Sequence, residues 1–246
     1  MEQNQVLTIP LDFKIACVIY HMQPEKVLQN FINHVSFYMS LSTGYLPGFR
    51  EATNTLAEYS IDHVNRTPSP AISESRDFTI KCVKSVIEIS KRKGISEEKK
   101  RKKCIPIVKQ LNQSLTHILT KPRLHLNEEQ VLELSDDFRI RCEMLQHTPK
   151  DFLEYFMSKI SLADRDARFG LNKVIENHAL DFFRLTTLGL GRNEDNKITN
   201  HEAQQDFIDE YQKMRYELFI VRDLEERRSL LQEFYLKHYH ELTKVI

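Results

Sequence analysis

Apolar side chains recur every three or four residues along most of the chain, which is the spacing of an amphipathic helix. The clearest example is the run of Val27, Leu28, Phe31, Ile32 and Val35. No segment alternates apolar and polar residues in the manner of a half-buried strand. Residues 6–11 form either a short extended arm or the approach to the first helix. The pattern predicts an all-α, multi-helical protein of nine to eleven helices.

One helical stretch occurs twice, at a constant offset of 125 positions between residues 12–36 and 137–161. Eight of the 25 positions are identical, and we interpret this as an internal duplication of a helix-turn-helix-like hairpin. Asp12 is expected to cap the first helix, and Pro24 and Pro149 to occupy the first turn of the second. The identical pairs are Asp12/Asp137, Phe13/Phe138, Ile15/Ile140, Cys17/Cys142, Pro24/Pro149, Leu28/Leu153, Phe31/Phe156 and Ser36/Ser161.

The repeated hairpin has some of the spacings of a DNA-reading helix-turn-helix motif. Against that interpretation, His21 and Gln146 stand where the motif usually has a glycine. The outward positions of the second helix also differ in charge between the copies, and Asp151 and Glu154 would repel phosphate. The hairpin is therefore predicted to be a packing unit. Its opening pattern, Asp-Phe-x-Ile-x-Cys, recurs once more at 77–82, which suggests a partial third copy.

Other signals divide the chain into segments. Prolines and serines predict a linker that is neither helix nor strand. Pro106 is expected to begin a new helix, and a long helix is expected to begin at Asn127. One helix is expected to run through Phe169, Val174, Ala179 and Phe183. The predicted segments are a first helical unit (1–66), a linker (67–76), a basic helical middle (77–125), a second helical unit that repeats the first (126–188) and a C-terminal helical hairpin (189–246).

The C-terminal segment carries an apolar seam with a 4-3-4-3 spacing, typical of a coiled coil. Either a two-helix hairpin or one long bent helix fits it, and Asp223 is a candidate cap for a second helix. The seam is a candidate surface for a partner or for a second copy of the chain in a homodimer. Its residues are Phe207, Tyr211, Met214, Leu218 and Val221.

Formal charge is zero overall but is unevenly distributed. Residues 76–125 carry fourteen basic and four acidic residues, whereas every flanking segment is acidic. Clustered lysine and arginine attract phosphate backbones by counterion release and can also attract an acidic protein. Two such clusters in a eukaryotic chain can also act as a nuclear import signal. The candidate nucleic-acid-binding residues are Lys91, Arg92, Lys93, Lys99, Lys100, Arg101, Lys102 and Lys103.

Catalytic and metal-binding motifs are missing from the sequence. It has no phosphate-binding loop, dinucleotide fingerprint, nucleophile elbow or Cys-x-x-Cys pair, so no catalytic residue, cofactor or metal ligand is assigned. A calcium loop beginning at Gly191 lacks its first acidic ligand, and a capping box at Thr199 and Glu202 explains the residues better. The four cysteines are expected to be reduced and packed. With no secretory signal and no membrane span, the expected compartment is the cytoplasm.

These patterns predict a non-catalytic intracellular binding protein, with a regulatory association with nucleic acid through the lysine-rich middle. The alternative is a protein-interaction scaffold or oligomer that uses the C-terminal seam. A third hypothesis is an enzyme whose site is assembled from dispersed residues.

Overall fold

Helices dominate the part of the chain that the computed structural model describes, residues 4–63, 69–115, 123–126, 130–189 and 200–244. Within these ranges there are thirteen helices, so the all-α class is confirmed and the expected number of helices was too low. The first seven are α1 (Leu11–Ile19), α2 (Pro24–His34), α3 (Phe37–Leu41), α4 (Phe49–Asp62), α5 (Pro70–Glu74), α6 (Arg76–Ser90) and α7 (Glu97–Leu115). The others are α8 (Asp136–Leu145), α9 (Pro149–Ser158), α10 (Leu162–Phe169), α11 (His178–Thr187), α12 (His201–Glu217) and α13 (Leu224–Thr243).

The two similar sequence stretches form corresponding helix pairs, α1–α2 and α8–α9. A third helix begins directly after each stretch, α3 or α10, which gives two corresponding trios. The turn between the first two helices contains a left-handed residue at the same place in each trio, His21 with φ 53° and Gln146 with φ 56°. Pro24 and Pro149 begin α2 and α9 as expected. Asp12 was wrongly expected to be the N-cap, because Pro10 occupies that position and Asp12 lies in the first turn. Common descent of the trios stays a prediction.

Equivalent residues of the two trios meet in the main core. The rings of Phe31 and Phe156 stack with centroids 4.0 Å apart, and Phe13 packs edge-on against Phe156 at 6.1 Å. The polar side of α2 is also occupied, since the Gln29 side chain exchanges hydrogen bonds of 2.8 and 2.9 Å with the backbone of Glu133. These contacts support a packing role for the hairpin, because a helix covered in this way is not free to enter a DNA groove.

The third occurrence of the motif, residues 77–82, is used differently. Phe78 and Ile80 are 36% and 40% exposed, whereas Phe13 and Phe138 at the matching positions are fully buried. The segment lies at the start of α6, a helix of the basic middle. The similarity therefore does not extend to packing.

A small sheet is the main departure from the expected elements. β1 (Asn4–Val6) pairs in parallel with β2 (Arg123–His125), which pairs antiparallel with β3 (Val131–Leu132). The long helix expected from Asn127 was wrong, because Val131 and Leu132 are in β3 and α8 begins only after Ser135. The Ser135 hydroxyl accepts a hydrogen bond from the Phe138 N–H and so caps α8.

Three further expectations about helices were wrong. Within the expected linker, Ser69 caps the short helix α5 by accepting from the Ile72 N–H at 3.0 Å, and Pro70 occupies its first turn. Pro106 lies inside α7 and does not restart a helix. The helix expected through Phe169 and Phe183 is two helices, because residues 170–177 are not helical.

A second core lies beneath the basic middle. It joins side chains of α3, α6, α7 and α8, among them Tyr38, Val86, Leu111 and Ile140. All four cysteines are free and buried, as expected for packed thiols, and burial raises the pKa of Cys104 to about 11.

The C-terminal segment forms a pair of helices. Residues 218–223 separate α12 from α13, and the Asp223 carboxylate accepts from the Glu226 N–H at 2.9 Å. The two-helix alternative and its cap are therefore confirmed. The calcium-loop positions between 191 and 199 lie outside the described residues, and the described N-cap of α12 is Asn200.

Candidate nucleic-acid interface

The predicted basic residues lie on one antiparallel unit, which we call the basic hairpin: α6, α7 and the connection between them, residues 76–115. The basic hairpin contains twelve lysines and arginines and four acidic residues. At the connection, Gly94 has φ +74°, a left-handed conformation that glycine adopts without a steric penalty. This turn places the two lysine-rich clusters at the same end of the hairpin.

Six of the eight candidate residues are exposed to solvent. Lys99, Lys102 and Lys103 are spaced three and four residues apart and so share one face of α7 near its start. Lys91, Arg92 and Lys93 occupy the connection that leads to that end. The exposed cations are therefore grouped at the tip of the hairpin and the first turns of α7.

The other two candidates serve the fold. Lys100 is buried, and its ammonium donates to the backbone carbonyl of Ser90 at 2.9 Å and to Glu97 at 2.8 Å. The Arg101 guanidinium lies over the ring of Phe49, 4.0 Å from the centroid. Both side chains are engaged inside the molecule, so the candidate interface rests on the six exposed cations.

A buried polar cluster fixes the start of α7 to the first helical unit. The Glu97 carboxylate accepts hydrogen bonds from the Tyr38 hydroxyl at 2.6 Å and from Ser42 at 3.1 Å. Burial and the hydrogen bond to Glu97 raise the pKa of Tyr38 to about 12, so the phenol stays a donor. Neither Tyr38 nor Ser42 was singled out by the sequence, since their helix pattern does not reveal a partner 55 or more positions away.

In the described part of the chain, no acidic residue outside the hairpin forms an ion pair with its candidate cations. The ion pairs of its candidate cations there are Lys100 with Glu97 and Lys102 with Glu98, both internal to the hairpin. The nearby acids of α8 have other partners: Asp136 accepts from Asn112 at 2.7 Å, and Asp137 accepts from the Phe37 N–H at 2.6 Å. The positive charge at the tip is therefore left open to solvent.

The C-terminal apolar seam faces the interior of the same molecule. Phe207 packs against Phe234 and His238 of α13, with ring centroids 5.8 and 5.3 Å apart. Leu218 is buried, and Tyr211, Met214 and Val221 pack against the main core. All five seam residues thus contact their own chain, and four of them stay partly exposed.

The sequence did not indicate one further feature, a cavity lined by arginines and apolar residues between Leu162 and Leu231. The only signals were the alternating charges of Asp164, Arg165, Asp166 and Arg168 and the pair Arg227–Arg228, which are also ordinary on a solvated helix. No described residues form a group of three or more histidine, cysteine, aspartate or glutamate side chains able to hold a metal ion. In the same ranges, every helix is too short or too polar to cross a bilayer.

Comparison with known proteins found no matching protein-family model, no matching curated protein and no matching solved structure.

Proposed function

We propose that the protein is a non-catalytic binding protein that holds nucleic acid through the tip of the basic hairpin. The supporting observation is the group of six exposed cations there, which no acidic residue outside the hairpin pairs with in the described ranges. Lysine-rich surfaces of this kind bind phosphate oxygens and release condensed counterions. The contacts are expected to be with the backbone and not with base edges, because the exposed group contains five lysines and a single arginine.

The rigid placement of the tip favours this function. Glu97 and Lys100 tie the first turn of α7 to α3 and to the end of α6, so the cations project from an ordered element. A surface already held in place loses less conformational entropy on binding than a disordered basic tail.

The test is fluorescence anisotropy of a labelled DNA duplex titrated with the protein at several salt concentrations. In the triple variant Lys93→Gln/Lys99→Gln/Lys103→Gln, the slope of log Kd against log salt should flatten by about 2 to 3, since each lost phosphate contact contributes roughly 0.9. The matched control is Lys14→Gln/Lys173→Gln/Lys213→Gln, which removes three exposed lysines elsewhere. It should bind nearly as wild type does.

Three results would contradict the proposal. The first is no binding at low salt, and the second is equal weakening by the two triple variants. The third is displacement of the duplex by poly-glutamate as effectively as by unlabelled DNA, which would indicate a surface for acidic protein.

A further inference from the structure

Helices α10, α11, α12 and α13, together with the connections at 170–177 and 218–223, border an open cavity of about 610 Å³, a size typical of small-molecule sites. It lies apart from the basic hairpin and was not indicated by the sequence. Large apolar side chains line it while more than half exposed to solvent, and clustered exposure of this kind marks binding surfaces. They are Phe169, Val174, Ile175, Leu188 and Phe219.

Two of the three aspartates of the cavity wall, Asp166 and Asp164, are already engaged, and the third, Asp181, is exposed and lies 4.0 Å from Arg184. Asp166 accepts from Arg165 Nε and from the hydroxyls of Tyr211 and Tyr235, each at 2.6 Å. Asp164 is shared between Arg168 at 2.8 Å and Arg228 at 2.6 Å. Neither carboxylate has a free oxygen with which to neutralise a further cation.

Arg227 is the cation left without a counter-charge. Its side chain is only 5% exposed, and it donates from Nη1 to the backbone carbonyls of Leu218 and Val221. Its Nε is buried and makes no hydrogen bond. No carboxylate of the described residues forms an ion pair with it, and burial together with repulsion from Arg222 lowers its pKa.

Gly170 lies where the guanidinium of Arg227 meets the wall. A Cβ at this position would clash with Arg227 Nη2, so a larger residue would displace the end of the arginine side chain. Arg215 also lines the cavity, is exposed, and has no carboxylate partner among the described residues. In total the wall carries five arginines and three aspartates.

A buried guanidinium is costly unless an anion compensates it. We propose that this cavity binds an amphiphilic organic anion, with its carboxylate or phosphate head group at Arg227 and Arg215 and its apolar body against Phe169 and Phe219. The head group supplies the missing counter-charge, and the body covers apolar surface that is otherwise in water. This site is independent of the nucleic-acid proposal.

The test is calorimetric titration of the full chain with octanoate, octyl phosphate and octanol, each below its micellar concentration. Saturable one-to-one binding of an anionic probe is expected, with octanol at least about tenfold weaker because it lacks the charge. The tighter of octanoate and octyl phosphate identifies the head group. Absence of saturable binding, or equal affinity for octanol, would overturn the proposal.

Two variant pairs locate the site without disturbing Arg227, whose loss would also remove contacts within the fold. Arg215→Gln should weaken binding of the anionic probe by about fivefold, whereas Lys213→Gln, on the same helix but outside the cavity, should not. Phe219→Ala should weaken the binding of all three probes. Ile220→Ala, at the neighbouring exposed position outside the cavity, should leave their binding unchanged. Equal effects within either pair would place the binding elsewhere and reject the assignment.

Discussion

At the scale of single residues, the carboxylate of Glu97 links the basic hairpin to the first helical unit through its hydrogen bonds. Burial opposes ionisation of its carboxylate, but hydrogen bonds from Lys100, Tyr38 and Ser42 outweigh it and lower the pKa of Glu97 below its ordinary value of 4.5. A carboxylate with a lowered pKa in the folded state stabilises the fold above its unfolded-state pKa. That stabilisation is lost as pH falls through the folded-state value.

We therefore expect the wild-type protein to lose part of its free energy of unfolding through Glu97 as the pH falls below about 4.5. Glu97→Gln should be less stable at neutral pH and should lose less stability over the acid range, as measured by urea unfolding. The control is Glu98→Gln, which removes the same charge but only a solvent-exposed pair with Lys102. Identical acid profiles for wild type and Glu97→Gln would contradict this role.

At the scale of elements, the turn that follows α1 and α8 has a shared hydrogen-bond pattern. The Met22 N–H donates to Cys17 O at 2.7 Å, and the His147 N–H donates to Cys142 O at 3.1 Å. In each case the residue before the donor is left-handed, which is the arrangement of a helix end normally closed by glycine. In the sequence, the absence of glycine at this position argued against a helix-turn-helix turn. The chain nevertheless adopts the left-handed conformation there, with His21 and Gln146.

A left-handed conformation costs a non-glycine residue about 1 kcal/mol. Gln146→Gly should therefore be more stable than Gln146→Ala by about that amount, because both variants remove the same side-chain contacts. At Lys91, which ends α6 with φ −79°, the order should reverse, since glycine there only adds backbone entropy to the unfolded chain. Urea unfolding of the four variants measures both differences, and the same order at the two sites would show that φ is not the cause.

Local patterns predicted the elements whose signals lie within a few residues. Pro24 and Pro149 begin α2 and α9 as expected, and Thr148 and Asp151 form a capping box beside Pro149. Elements that depend on distant partners were missed: β3 exists because Leu132 pairs with Leu124 of β2. Val174 was expected within a helix but is exposed between α10 and α11, because apolar spacing does not reveal which side chains border a cavity.

At the scale of the whole molecule, the candidate site was only partly predictable. The density of lysine and arginine in residues 76–115 is a property of sequence, and it marks the segment that carries the six exposed candidate cations. Exposure is a tertiary property: Lys100 is buried between Ser90 and Glu97 while its neighbour Lys99 is open. Whether nearby acids pair with the cations is also a tertiary property. Asp136 and Asp137 of α8 accept hydrogen bonds from Asn112 and from the Phe37 N–H.

The C-terminal helices close the molecule over both halves of the main core. Helix α13 packs against α1 and α10, one helix from each of the similar trios, and α12 packs against α13. The spacing that suggested an intermolecular seam is satisfied within this arrangement. A coiled-coil spacing specifies an apolar stripe and leaves open whether the facing helix belongs to the same chain.

The intramolecular role of the seam can be tested with Leu218, which is 3% exposed. Leu218→Ala should lower the free energy of unfolding by about 2 to 4 kcal/mol, because it leaves a cavity in the core. The control Ile220→Ala, at a position 82% exposed, should change it by less than about 0.5 kcal/mol. If the seam joined two chains instead, the wild-type melting temperature would rise with protein concentration, and Leu218→Ala would reduce the mass measured by light scattering. We expect neither, because the surface that Leu218 buries belongs to its own chain.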